Sequence, residues 1–322
     1  MIKRRLLLLA FCCLLITCKG KEKPPEQTQE LVTSETTEET KETEIPPLPE
    51  TAENAGVPVS YQIQRPLSGL SGIGGRVNTN EINPLNYENP DLDILRQIGT
   101  EQYLISFLAG EQFYRKGDFD KALAEYTVSI NSNREFIEAL ISRGNTWLKK
   151  KEYGRAIDDY TRAIRLDNKR TELYNYRGFA RSERGETGSA IEDFSRAIAL
   201  NRNYVDALVN RSHAYYRTGD YNKTIEDCNR IIALEPRNAY AWNRRGSAWY
   251  RKEDDDRAIG DFTEAIRLKS DYAVAWYNRG NAWYNKGERD KAIADLNKTL
   301  AINPSFTEAR TLLNRLNQTL PE

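Results

Sequence analysis

The sequence predicts an all-α solenoid: six tandem helix–turn–helix units closed by a C-terminal capping helix. Two observations carry this. Gly144, Gly178, Gly246 and Gly280 are spaced by 34 residues or twice that, and extending the period without gaps gives units 103–136, 137–170, 171–204, 205–238, 239–272 and 273–306. Within every unit, small and apolar residues recur at the spacing of one helical face in two blocks, with turn residues between them. A chain of 322 residues that is 39% hydrophobic and 29% charged is long enough for such an array and carries a well-solvated surface.

The chain opens on a basic stretch, Lys3-Arg4-Arg5, followed by an apolar run of 12 residues from Leu6 to Thr17. A membrane-spanning helix takes roughly 20 apolar residues, so this run suits an export signal over residues 1–17 rather than an anchor. Leu15-Ile16-Thr17-Cys18 resembles the lipobox of bacterial lipoproteins, in which the cysteine becomes the acylated first residue of the mature chain. Thr17 departs from the Gly, Ala or Ser usual at that place, and an ordinary cleaved signal is the alternative. The resemblance implies a lipid on Cys18 and a membrane-bound mature protein in the bacterial envelope, with the repeats outside the cytoplasm.

Residues 18–60 are rich in Glu, Thr and Pro and poor in apolar side chains, which predicts a disordered tether. Its roughly 42 residues would span about 35–40 Å as a random coil. Residues 61–102 read as a linker. Gly69, Gly72, Gly74 and Gly75 lack the strand, helix and Lys-Ser/Thr ending of a phosphate loop. Residues 91–102 are a candidate helix covering the first unit.

In the repeats, column 8 holds Gly110, Gly144, Gly178, Ser212, Gly246 and Gly280, and column 20 holds Ala122, Ala156, Ala190, Thr224, Ala258 and Ala292. These small residues let two helices approach closely. Large side chains fill the space beside them: Leu140, Tyr174, Leu208, Trp242 and Trp276 at column 4, Phe113, Trp147, Tyr215, Trp249 and Trp283 at column 11, and Tyr126, Tyr160, Phe194, Cys228, Phe262 and Leu296 at column 24. Trp249 is accordingly expected in the core. Gly117, Gly185, Gly219 and Gly287 at column 15 end the first helix, while Pro236 and Pro304 stop the second. Ser106 at column 4 weakens the first unit, and Arg181 at column 11 with Thr187-Gly188 at the turn marks the third as the weakest internal link. Residues 307–322 form the cap, with Ala309, Leu312, Leu313 and Leu316 covering the last unit.

These columns resemble the tetratricopeptide repeat (TPR). The resemblance implies a right-handed α-solenoid and a function in binding proteins or peptides. It also implies that columns 2, 5, 6, 9, 12 and 13 line a concave groove. In units 4 to 6 these columns supply Asn210, His213, Tyr216 and Arg217, then Asn243, Arg244, Ser247, Tyr250 and Arg251, and finally Tyr277, Asn278, Asn281 and Tyr284. Tyr216, Tyr250 and Tyr284 recur every 34 residues and are expected to form a row of large contact surfaces. The asparagines both donate and accept, so they are expected to pair with the backbone of an extended peptide. The clamp that some family members use on chaperone tails is incomplete. Asn145, Asn210, Asn278 and Arg244 occupy suitable columns, but no lysine stands at column 5.

Other chemistry is weighed against simpler readings. Arg143, Arg177, Arg211, Arg245 and Arg279 at column 7 read either as a polyanion-binding row or as a ladder with Asp159, Asp193, Asp227, Asp261 and Asp295 at column 23; their shared register favours the ladder. Glu253-Asp254-Asp255-Asp256 is too compact for a calcium loop and fits a solvated turn. Cys228 falls in a core column, and the lone His213 has no nucleophile to serve, so no catalytic residue, metal site or cofactor is expected. Residues from 103 onward carry 37 basic and 32 acidic side chains, too small an excess for a nucleic-acid partner. The expected function is a non-enzymatic scaffold of the cell envelope that holds a protein or peptide. The alternative is an accessory or regulatory subunit of an envelope enzyme acting on cell-wall glycan.

Overall fold

A computed structural model describes residues 92–97 and 100–318. The expected signal segment, Cys18, the tether and most of the linker lie outside the described residues. A short helix, α1 (Leu92–Gln97), is followed by six helix pairs. The first helices of the pairs, called A, are α2 (Gln102–Arg115), α4 (Ile137–Lys149), α6 (Thr171–Glu183), α8 (Val205–Arg217), α10 (Ala239–Arg251) and α12 (Ala273–Asn285). Their B partners are α3 (Phe119–Ser132), α5 (Tyr153–Leu166), α7 (Thr187–Leu200), α9 (Tyr221–Leu234), α11 (Asp255–Leu268) and α13 (Arg289–Ile302). Each helix packs on the one before and the one after, so the repeats form an α-solenoid of helix pairs with no strand among the described residues. The last helix, α14 (Thr307–Gln318), buries Ala309, Leu312 and Leu316 against α13.

The turn between A and B is set by backbone sterics. Column 15 takes positive φ in all six units: 77°, 90°, 78° and 75° at Gly117, Gly185, Gly219 and Gly287, but also 60° at Lys151 and 61° at Glu253. The two non-glycines carry a strain that glycine avoids. Two residues later the B helix begins, and Asp118, Asp220 and Asp254 cap it by accepting the Lys121, Lys223 and Arg257 backbone N–H. The acidic run is thereby divided. Glu253 makes the turn, Asp254 caps α11, and Asp256 pairs with Lys286 of the next unit.

Close helix approach depends on the missing Cβ at column 8. A Cβ on Gly110, Gly144, Gly178 or Gly246 would stand 2.6–2.8 Å from the ring of Tyr126, Tyr160, Phe194 or Phe262. Unit 4 reverses the sizes, with Ser212 opposite Cys228, both buried. Burial pushes the Cys228 thiol up to about 12, which makes it an inert packing group.

The arginine row is a ladder. Each arginine donates two hydrogen bonds to one aspartate across the A–B pair, Nε to Oδ2 and Nη2 to Oδ1, at 2.7–2.9 Å from Arg143–Asp159 through Arg279–Asp295. The remaining Nη1 reaches the preceding unit at Thr127, Thr161, Ser195, Asn229 or Thr263. One side chain thus ties three helices. Burial drives the Asp159 and Asp261 carboxyls above the ordinary carboxylate range, while Arg143 and Arg245 pull against it. Arg181 sits beside the third rung as a second donor to Asp193, at 2.8 Å, so the unexpected column-11 arginine is absorbed by the ladder.

The tryptophans correct one expectation. All five are half-buried rather than enclosed, and each has a cation over its ring: Arg155 on Trp147, Arg245 on Trp242, Arg257 on Trp249, Arg279 on Trp276 and Lys291 on Trp283, at 4.4–4.8 Å. The long tryptophan side chains of columns 4 and 11 extend to where the A–B seam reaches solvent, whereas Leu140 and Leu208 at column 4 stay fully buried. A large amphipathic ring suits that place, with one face on the core and the other under a cation.

Candidate functional site: the inner face of the A helices

Successive A helices meet one another, α2 with α4, α6 with α8, α8 with α10 and α10 with α12, a contact the B helices do not match. The layer with the shorter spacing forms the concave side. The expected groove residues of units 4 to 6 all lie on α8, α10 and α12.

Their exposure divides them. Arg217 and Arg251 are exposed, and Asn210, His213, Tyr216 and Tyr284 are half-buried. Asn243, Arg244, Ser247, Tyr250, Tyr277, Asn278 and Asn281 are buried. The expectation of a free asparagine row is therefore corrected. Asn278 Nδ2 donates to Asn243 Oδ1 at 3.0 Å, and Asn210 Nδ2 donates to Asn175 Oδ1 at 2.9 Å. Both bonds run from column 6 of one unit to column 5 of the unit before. Ser247 donates to the Asn243 carbonyl at 3.0 Å, and Asn281 Nδ2 donates to the Tyr277 carbonyl at 2.9 Å. Neighbouring A helices bring these amides within reach, and buried amides take partners where they find them. Asn175, absent from the expected set, belongs to this network. Its trace in the sequence is an Asn at column 5 followed by another 35 residues later.

The tyrosine row is corrected in the same way. Tyr250 is buried in the core that units 5 and 6 share with the capping helix. Tyr216 packs edge-on to Tyr221, with centroids 5.6 Å apart, and Tyr284 covers that shared core from its rim. Tyr277 stacks on Phe306 at 4.9 Å. Two acceptors on this face remain unsatisfied: the buried Oδ1 atoms of Asn278 and Asn281 receive no hydrogen bond.

Charge is uneven along the face. On units 2 and 3, Glu138 and Glu172 pair with Arg170 and Glu183 shares column 13 with Lys149, whereas Arg217, Arg244 and Arg251 gather at units 4 and 5 with one acid, Asp206, at the far end of α8. The Arg244 guanidinium lies 5.6 Å from the Tyr216 ring centroid; burial raises the Tyr216 hydroxyl above its ordinary pKa, and Arg251 and Arg244 pull it back down. Burial, then Arg244 and Arg217, push the His213 imidazole down to about 3, so it is neutral at any physiological pH.

Three tetratricopeptide repeat models match the chain, at residues 107–170 and 226–273, at 205–238 and at 273–306, together just over half of it. The chain belongs to the tetratricopeptide repeat family. Unit 3, which carries Arg181, lies between the matched spans. Among solved structures, the MamA protein is 29% identical over 54% of this chain and 94% of its own, with a TM-score of 0.51. The C-terminal part of a TPR repeat-containing protein from Cytophaga hutchinsonii is 19% identical over 68% of this chain and 91% of its own, at 0.57. YrrB, a TPR protein with an unusual peptide-binding site, is 19% identical over 58% of this chain and 96% of its own, at 0.51. The last two likenesses show the fold alone. No curated protein sequence is significantly similar to this chain. TPR proteins bind protein or peptide partners and are typically non-catalytic scaffolds, and the repeats of this chain support a protein-binding scaffold.

Proposed function

We propose that the protein holds an extended peptide or loop of a partner protein in the groove of units 4 to 6, at the surface of a bacterial membrane to which Cys18 ties it through lipid. The observation that carries the groove reading is that Arg217 and Arg251 stay exposed on the A helices of units 4 and 5, while the amides around them are paired or enclosed. An extended peptide lying across such a face finds side-chain contacts at regular intervals. The half-buried Tyr216 and Tyr284 on the same face offer broad contact surfaces at small entropy cost. The envelope location rests on the basic, short apolar N-terminus and Leu15-Ile16-Thr17-Cys18.

A photo-crosslinking residue placed singly at Tyr216, Tyr284, Val128 or Leu234 tests the groove in cells. The last two are exposed on B helices. Adducts from Tyr216 and Tyr284 but not from Val128 and Leu234 are expected, and the reverse pattern moves the site to the outer face. Intact mass of the native protein tests the anchor: a mature chain without added lipid mass removes it from the proposal.

A further inference from the structure

We infer that the partner segment carries an Asp or Glu side chain that enters the groove between units 4 and 5, among Arg217, Arg251 and Tyr216, with Arg244 and His213 forming the floor. This rests on the groove reading and names the chemistry of its occupant.

Column 13 also carries Arg115 and Lys149 in units 1 and 2, but Leu108 and Ser142 stand at column 6 there, so the third cation, Arg244, is what marks the junction of units 4 and 5. The five ladder arginines are each neutralised by an aspartate at 2.7–2.9 Å. Arg217 and Arg251 stand at column 13 of successive units, are exposed, and form no ion pair among the described residues. A cation in the last turn of a helix complements the helix dipole, which accounts for the sign of each one separately. It does not account for their convergence. Arg244, from the middle of the same helix as Arg251, lies over the Tyr216 ring across the unit boundary, 5.6 Å from its centroid, and Arg251 and Arg244 both act electrostatically on that tyrosine's hydroxyl. Arg217 and Arg244 both bear on His213. The nearest groove carboxylate on α8, Asp206, is eleven residues before Arg217, about 16 Å along the helix axis. Corresponding columns in the flanking units carry Glu183 and Asn285.

A carboxylate is the group that this arrangement lacks. Guanidinium groups bind it with directed, charge-assisted hydrogen bonds, and the tyrosine hydroxyl adds a neutral donor. The neutral His213 adds a hydrogen-bonding group without another charge to be solvated. The groove continues past the cluster to Tyr284 on unit 6, so a chain lying in it passes through the junction, and the acid comes from a side chain within the segment rather than from a chain terminus.

The test uses the full-length protein and a displayed library of random twelve-residue peptides. Selection on the wild type is expected to enrich peptides with Asp or Glu at one internal position. Changing that residue to Asn or Gln is expected to lower affinity about tenfold. In the Arg217→Gln, Arg251→Gln double variant, whose two sites are solvent-exposed and whose fold is checked by circular dichroism, the same change should cost less than about twofold. Arg251→Glu should convert the preference from acidic to basic. Enriched peptides without a fixed acid, or an acid preference that survives in the double variant, overturn the inference and leave the groove reading intact. Enrichment of terminal carboxylates alone overturns the internal side chain. If no peptide is enriched, the groove reading fails as well.

Discussion

Gly144 and Tyr160 share one space: a Cβ on Gly144 would lie 2.8 Å from Tyr160 Cε1, inside any ordinary contact. The ring cannot swing away freely, because Tyr160 is fully buried and its hydroxyl donates to Asn145 Oδ1 at 2.6 Å. Gly144→Ala should therefore destabilise the array by about 1–3 kcal/mol, the usual cost of overpacking. At Gly280 the nearest atoms of the facing side chains are Asp295 Cβ at 3.3 Å and Leu296 Cγ at 3.5 Å, so Gly280→Ala should cost clearly less. Urea denaturation of both variants decides the point, and equal losses would show that ring contact is not the cause. Replacing Gly144 and Tyr160 together by Ser and Cys, the pair that unit 4 uses at Ser212 and Cys228, should recover part of the loss.

Arg245 and Asp261 should be strongly coupled. The aspartate is nearly enclosed and accepts two bonds from the guanidinium, so removing either partner strands the other. Asp261→Asn and Arg245→Met should each cost about 2–4 kcal/mol, and the double variant much less than their sum. Additive losses in the double-mutant cycle would mean that the rung contributes no pairing energy.

Lys151 and Glu253 offer the opposite effect. Both adopt positive φ at the turn where the other four units place glycine. Relief of left-handed strain is worth about 1–2 kcal/mol, and glycine gives back about 0.5–1 kcal/mol through its larger unfolded-state entropy. Each change to glycine should raise stability by up to about 1 kcal/mol, read as a higher urea midpoint with an unchanged slope. Gly185→Ala should lower it.

His213 should make stability depend on pH. Its folded pKa lies near 3, below the ordinary 6.5, because it is buried and faces Arg244 and Arg217. Above about pH 6.5 the imidazole is neutral in both states and has no effect. As pH falls from 6.5 toward 3 the unfolded chain takes up a proton that the folded chain refuses, and stability is lost by up to about 1.4 kcal/mol per pH unit. His213→Gln removes this one titration. The gap between wild type and variant should therefore change by about 2 kcal/mol between pH 7.5 and pH 5 in matched urea titrations. Parallel curves would place His213 in solvent.

How much of this was legible depends on the distance over which each feature is decided. The unit boundaries, turns and column sizes are written in the sequence because they are local. A glycine facing an aromatic ring sixteen residues later, or Ser212 facing Cys228, is a constraint within one helix pair that recurs with the period. The Arg–Asp ladder was legible for the same reason, since each rung joins the two helices of one unit. A repeat fixes which column a residue occupies but not how closely neighbouring A helices approach, and that spacing decides the inner face. It turned Asn243 and Asn278 from groove groups into partners of each other and buried Tyr250. It also brought Arg244 and Arg251 to Tyr216, and Arg217 and Arg244 to His213. The tryptophans moved the other way. Their columns suggested a core, but the A–B seam opens to solvent there, and cations cover the outer face of each ring. Such placements arise from packing between units, where the energy depends on distances that no periodic pattern encodes.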